Sequence, residues 1–347
     1  MIAYVLKRLL LMIPTLIGIL LLSFTIIQFV PGGPVEQLVQ ELRGKGQAGE
    51  VATSGTGYRG AQGVDPDNLE EIRRLYGFDR PAHERFLEMI VRYARFDLGI
   101  SYFHHRHVVD LIIDKLPVSI SLGLWSFLIT YAVSIPLGIA KAVRNGSRFD
   151  LATSTAILIG YAIPGFVLGV ALLVLFGGGS FLQLFPLRGL VSDNFAELSL
   201  FGKVLDYLWH LAMPLTCLVV GSFAVTTMLT KNTFLEEIRR QYVLTARAKG
   251  LSENKVFYKH VFRNALIPLV TAFPAEFVGA FFTGSLLIET LFSLDGLGLL
   301  SYEAVIRRDY PVVLGALYVF SLIGLLTKLV TDLCYTWVDP RVKFDGD

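Results

Sequence analysis

One acid in an otherwise apolar setting offers the most chemistry in this chain. Glu276 lies midway along the apolar run Leu266 to Leu291. It shares an i+4 line with Ala272, Ala280 and Gly284, so on a helix its face is narrow and meets another helix or a cavity rather than lipid. An ionisable group at mid-depth in a bilayer is costly and generally has a task. Glu276, Phe277, Ala280 and Gly284 therefore form a candidate pathway surface, with the carboxylate attracting a cationic or amine group of a passing solute. A second reading stands beside it, in which the carboxylate bonds to a neighbouring helix or stays protonated. Lys328 and Asp332, four apart in the run Val312 to Trp337, read as a mutually neutralising pair. His104, His105 and His107 lack an acidic or cysteine partner at ligand spacing, so surface exposure is the simpler account and no metal site is expected. Asp295 to Tyr310 holds a G-L-G turn and an amphipathic run. Asp295, Gly296, Gly298 and Tyr302 are the residues there for an outer gate or a contact with a delivering protein; an ordinary interfacial or re-entrant segment is the alternative. No G-x-x-x-x-G-K-[ST], G-x-S-x-G or H-E-x-x-H pattern occurs, so the chain carries no sign of nucleotide or peptide hydrolysis and no catalytic residue is assigned.

The elements that position these residues are apolar spans. Of 347 residues, 53% are hydrophobic and 17% charged, which places the chain among membrane proteins. The net charge of +2 favours no nucleic acid or other polyanionic partner. Cys217 and Cys334 both lie in apolar runs, against a disulfide framework or a zinc cluster. The first run, Leu9 to Val30, is too long for a signal-peptide core and lacks a cleavage site, so it is a retained span. Pro34 to Ile113 leaves the bilayer. It holds a Gly-rich flexible insertion at 43–64 and two surface helices, Asp67 to Tyr76 and Pro81 to Arg95. Further spans follow at Pro117–Ala142, with Pro136 and Gly138 as a bend, at Leu151–Phe176, interrupted at Pro164-Gly165, and at Tyr207–Leu229, Leu266–Leu291 and Val312–Trp337. Lys7, Arg8, Lys141, Arg144, Arg148, the charged stretch after Leu229, Arg341 and Lys343 share one side. By the positive-inside rule that side is the cytoplasm, and both termini lie there.

Between the fourth and fifth spans sits Gln241 to Pro268, QYVLTARAKGLSENKVFYKHVFRNALIP. Phe234, Ile238, Tyr242 and Thr245 recur at helical spacing, Ala246 and Ala248 keep the helix thin, and Gly250 can stop it in the left-handed conformation. Ser252 can cap a second helix with the stripe Val256, Phe257, His260 and Val261. Two short helices joined by a glycine corner on one face of a membrane suit docking to a motor outside this chain; on charge alone, an ordinary basic inner loop is the alternative.

T-A-R-A-K-G, a second helix, and N-A-L-I-P resemble the coupling loop of ABC-importer permeases, in the version of the oligopeptide and dipeptide branch. The family's E-A-A-x-x-x-G falls on Leu244, Thr245, Ala246 and Gly250, with the acid and first alanine replaced. R-F-D-L-G-I-S at 95–101, Leu116-Pro117-Val118-Ser119, I-E-T-L-F-S-L-D-G-L-G at 288–298 and R-D-Y-P at 308–311 extend the likeness nearly end to end. Pro31-Gly32-Gly33-Pro34, the Gly-rich insertion and S-R-F-D at 147–150 resemble the YejB-type subgroup of the microcin C and peptide importer. The resemblance implies an all-α membrane protein of six transmembrane helices with type I ABC importer architecture. Its parts would be an N-terminal span at 1–30, an extracytoplasmic segment at 31–113, a five-helix core at 114–337 containing the coupling loop 232–263, and a tail at 338–347. It implies docking through Thr245, Ala246, Arg247, Ala248, Lys249, Gly250, Leu251, Ser252 and Val256 onto separate ATPase subunits or one tandem ATPase. Those partners would bind ATP and Mg, with no cofactor in this chain. A second similar permease, an extracytoplasmic peptide-binding protein, a peptide cargo and a bacterial inner membrane complete the expectation. An ion-coupled carrier and a non-transporting scaffold or receptor are the alternatives from other classes.

Overall fold

The computed structural model describes residues 2–29, 80–177, 181–282 and 286–338. The Gly-rich insertion, the expected helix Asp67 to Tyr76, Gly284 and the C-terminal tail lie outside these residues. Among the described residues the secondary structure is helical, apart from the isolated bridges Ile100–His107 and Gly177–Gln183.

The helices are α1 Ile2–Phe29, α2 Ala82–Tyr93, α3 Val108–Val143, α4 Arg148–Ala162, α5 Gly165–Phe176, α6 Leu200–Ile238, α7 Gln241–Ala248, α8 Glu253–Ala265, α9 Ile267–Phe282, α10 Leu286–Leu291, α11 Leu297–Ile306 and α12 Tyr310–Val338. By length and composition α1, α3, α6 and α12 can each cross a bilayer. Two bent pairs raise the count to six if each is one span: α4 with α5, at 91°, and α8 with α9, at 44°. The break at Pro164 has a local cause. Ile163 takes an extended conformation, as the residue before a proline does, and Pro164 opens the next helix without needing a donor. Pro136, in contrast, sits inside α3, which continues to Val143.

The chain divides into two compact units. The larger holds Met1–Arg8, Lys115–Leu300 and Ile323–Asp347. Its apolar core joins Leu122, Leu211, Met213, Cys217, Ile288 and Phe292, so α3, α6 and α10 meet there with α5 packed beside them. Gly138 lets α3 approach α6 closely, since a Cβ at that position would stand 2.6 Å from Thr230 Cβ and 2.8 Å from the Thr227 carbonyl. In the same unit Asp332 accepts a hydrogen bond from Tyr4 at 2.8 Å and pairs with Arg8 at 2.9 Å. The acid expected to neutralise Lys328 is therefore engaged by the N-terminal helix. An i+4 spacing brings two side chains near one another, but Arg8 forms a charge-assisted contact with better geometry.

The smaller unit holds Leu9–Asp114 and Ser301–Leu322. Here two of the sequence signatures touch. Asp309 of R-D-Y-P is buried and accepts from Ser101 Oγ at 2.5 Å and the Tyr102 N–H at 3.1 Å, both at the end of R-F-D-L-G-I-S. Asp97 takes a two-pronged contact from Arg92 at 2.8 and 3.2 Å and the Gly99 N–H at 3.1 Å. The Arg92 guanidinium holds its carboxyl below the usual aspartate range. Gly99 has φ of +85°, a turn that L residues resist.

Candidate functional site

The charged stretch after α6 folds as two short helices around an apolar seam. Helix α6 ends at Ile238 and α7 begins at Gln241, so the single helical line from Phe234 to Thr245 is broken at Arg239-Arg240. As a result Val243 and Ala246 face inward while Thr245 is exposed. Lys249 caps α7, and Gly250 follows with φ of +79°, the left-handed corner expected of it. Ser252 occupies the N-cap position of α8 with extended backbone, although its side chain makes no capping hydrogen bond. Arg247 spans the corner to Glu253 with two hydrogen bonds, at 2.9 and 3.1 Å. Phe257 to Phe262 widens to a π-helix, a form that inserts an extra residue and rotates the side chains that follow.

The inner face is firmly seated. Phe234, Val243, Val256, Val261 and Ala265 are each at most 1% exposed and form one cluster with Ala142 and Ala246. The Phe234 ring lies 5.9 Å from Phe257 and 5.8 Å from Phe262, which ties the end of α6 to the middle of α8. Tyr242 donates to the Glu237 carboxylate and accepts from Asn264 at 3.0 Å. Burial, and after it the hydrogen bond to Glu237, holds the phenol above its ordinary pKa.

The outer face is what remains for a partner. Thr245, Arg247, Ala248, Lys249, Gly250 and Ser252 are exposed, whereas Ala246 and Val256 are buried and Leu251 is half-buried. Of the residues expected to dock, Ala246 and Val256 thus lie in the buried seam, while most of the others lie on the outer face. Two residues missed by sequence reasoning join that face: Leu244, 57% exposed, and Tyr258, 67% exposed. Both are large apolar groups left in the open on an anchored element, and the inward set of Val243 and Ala246 is the signal that could have revealed Leu244.

Beside this element lies a buried ion cluster. Lys141 is 0% exposed, and its Nζ meets Asp150 Oδ1 at 3.1 Å, the Asp150 carbonyl at 3.0 Å, Thr153 Oγ1 at 2.8 Å and Ser154 Oγ at 2.7 Å. Lys231 of α6 reaches both Asp150 oxygens, at 2.7 and 2.8 Å. Ser147 caps α4 by accepting the Asp150 N–H at 3.2 Å. The S-R-F-D segment thus supplies a helix cap and the anion that joins α3, α4 and α6. Lys141, read as one of the charges that set sidedness, is instead a buried structural cation.

A second feature of the larger unit is a cavity of about 630 Å³ lined by α3, α4, α6, α9 and α10. Glu276 lines it and accepts from Tyr131 Oη at 2.7 Å. Phe277 does not line it; its ring stacks on Phe273 at 5.6 Å and meets Phe127 edge-on at 5.2 Å, bracing the α3 side. Gly279, on the next turn, does line it. Ala280 belongs to α9, and Gly284 falls outside the described residues. Sequence reasoning did not single out Glu289, which also lines the cavity and is fully buried. Its Oε2 accepts the Leu299 N–H at 2.8 Å, with the Gly298 N–H adding to the same end of α11, where a carboxylate complements the helix dipole. Gly296 makes room, because a Cβ there would lie 2.7 Å from the Glu289 carboxyl carbon. Asp295 is exposed and paired with Lys115, while Gly296 is buried. Tyr302, in the smaller unit, is 47% exposed.

The chain matches the binding-protein-dependent transport system inner membrane component family over residues 134–344. It is similar to the peptidoglycan transport system permease protein YejB of Agrobacterium fabrum, 56% identical over 99% of this chain and 98% of that one. It is 54% identical to the inner membrane ABC transporter permease protein YejB of Escherichia coli O157:H7 over 99% of both chains. The dipeptide transport system permease protein DppB of Escherichia coli K12 is 32% identical over the same shares. The matched span contains α4 to α12, the two-helix element and every wall of the cavity except the one from α3, whose lining residues Ser119 to Tyr131 precede it: this chain belongs to the family of inner membrane components of binding-protein-dependent transport systems.

Proposed function

We propose that the chain is the permease subunit of an ATP-driven peptide importer, providing the pathway and the lever that a separate ATPase moves. The observation that carries the reading is the contrast between the two faces of the α7–α8 element. One is sealed against Phe234, and the other presents Leu244, Thr245, Arg247, Ala248 and Tyr258 to a partner. A load applied to the outer face passes through packed side chains into α6, because close-packed interiors deform little. ATP and Mg belong to the partner ATPase, as one tandem chain or two. A second, similar permease completes the pathway, and an extracytoplasmic binding protein delivers cargo near the exposed Asp295. With the α7–α8 element on the cytoplasmic face, both termini are cytoplasmic.

Peptide is the cargo class because the relatives' names point there. DppB is named for dipeptides, and the Agrobacterium relative for peptidoglycan, whose stems are peptides. The test places Ala248→Cys against a cysteine on the purified ATPase partner. Cross-linking should change with the nucleotide state and should block ATP-dependent uptake of a labelled tripeptide into proteoliposomes. Uptake driven by an ion gradient without ATP would refute the reading in favour of an ion-coupled carrier.

A further inference from the structure

Two acids and a set of hydroxyls line the cavity of the larger unit, and none of its described lining residues is Lys, Arg or His. Glu276 is held by Tyr131 alone among the described residues, with no cation paired to it. Glu289 uses one oxygen on the end of α11, while among the described residues its Oε1 has no hydrogen-bond partner although the side chain is 0% exposed. Thr130 is independent of the acids. It is 4% exposed, lines the same space, and its Oγ1 is unpartnered among the described residues. Buried polar groups are generally satisfied, so orphaned acceptors around one cavity mark a missing partner that donates hydrogen bonds. Glu276 faces the open cavity and Glu289 is buried beside it, neither with a counter-charge among the described residues, so a positive group complements both. The remaining wall, including Leu122, Phe127, Leu218 and Val225, is apolar and suits the rest of an amphipathic solute.

We propose that this cavity binds the cargo through a primary ammonium group, received by Glu276 and Glu289 with Thr130 as an added acceptor. This rests on the reading of the chain as a peptide importer and names the chemical feature the pathway selects. An ammonium carries three donors and one charge, matching several acceptors around a small space. A peptide has such a group at its N-terminus and on each lysine. A carboxylate or phosphate would be repelled by both acids.

The test uses the complete importer in proteoliposomes with saturating binding protein and ATP. Three probes are compared: tri-alanine, N-acetyl-tri-alanine, and N-acetyl-Ala-Ala-Lys, which moves the ammonium to a side chain. Glu276→Gln should lower the ratio of ammonium-bearing to fully acetylated uptake about tenfold, the worth of one charge-assisted hydrogen bond. Thr130→Val should shift the ratio the same way by a smaller factor. A second measurement needs no turnover. Carbodiimide modification of Glu276 in the wild-type complex, mapped by mass spectrometry, should be slowed by tri-alanine and not by its acetylated form. A ratio unchanged in Glu276→Gln, together with modification slowed equally by both peptides, would overturn the proposal while leaving the importer reading intact. Wild-type complexes that accumulate none of the probes would overturn both.

Discussion

Removing the Asp150 carboxylate should destabilise this protein more than almost any other single change, and the structure says why. Asp150 receives Lys231 at 2.7 and 2.8 Å, Lys141 at 3.1 Å and the Gly146 N–H at 3.0 Å. Lys231 keeps 15% of its side chain exposed and can turn to water; Lys141 keeps none. In Asp150→Ala the Lys141 ammonium retains the residue 150 carbonyl, Thr153 and Ser154 but loses its anion, with a second ammonium nearby. Breaking a buried pair by removing one partner costs about 3–5 kcal/mol, because the other charge stays buried without compensation. At a few degrees per kcal/mol, Tm should fall by about 10 °C in the detergent-purified complex followed by tryptophan fluorescence. Lys231→Met should cost less, about 1–3 kcal/mol, since Asp150 keeps Lys141. The decisive variant is the double change Lys141→Met with Asp150→Ala. It leaves only the Lys231 ammonium, which can turn to water, and should recover at least half of the lost Tm. A double variant as unstable as the sum of the two single ones would refute the argument, and the cluster would then act through shape alone.

Other positions give sharper local outcomes. Gly138→Val places atoms where Thr230 and the Thr227 carbonyl already stand; overpacking at this helix contact should cost about 1–3 kcal/mol, read as a lower Tm. Gly250→Val meets open space, so its effect is purely that of forcing a β-branched residue to φ of +79°. A cost of roughly 1–2 kcal/mol at the corner is expected, with less peptide moved per ATP hydrolysed and recovery in Gly250→Asn. Asp309→Ala removes the acceptor of the Ser101 hydroxyl and of the Tyr102 N–H in the smaller unit. About 1–3 kcal/mol should be lost, seen as faster proteolysis around residues 95–107, with Asp309→Asn milder.

The apolar runs, the break at Pro164 and the glycine corner at Gly250 were legible from the chain because each has a local cause. Span length follows from bilayer thickness, and a proline or a left-handed residue ends a helix wherever it falls. Glu276 was also visible, as a charge in an apolar run needs no neighbour to look unusual. The corrections share a different cause. Tyr4 bonds Asp332 from 328 positions away, and Lys231 reaches Asp150 across 81, so neither pairing is written in a helical period. Thr245 turned outward because α6 stops at Ile238, and a two-residue break rotates every side chain after it. Lys141 appeared to be one more cytoplasmic charge until the fold closed Asp150 over it. Residue types and spacing alone determined a helical membrane protein with a charged two-helix element between two of its apolar runs. The tertiary structure alone decided which charges are buried and which acid joins Glu276 in the cavity, because burial and partner choice depend on packing between helices distant in sequence.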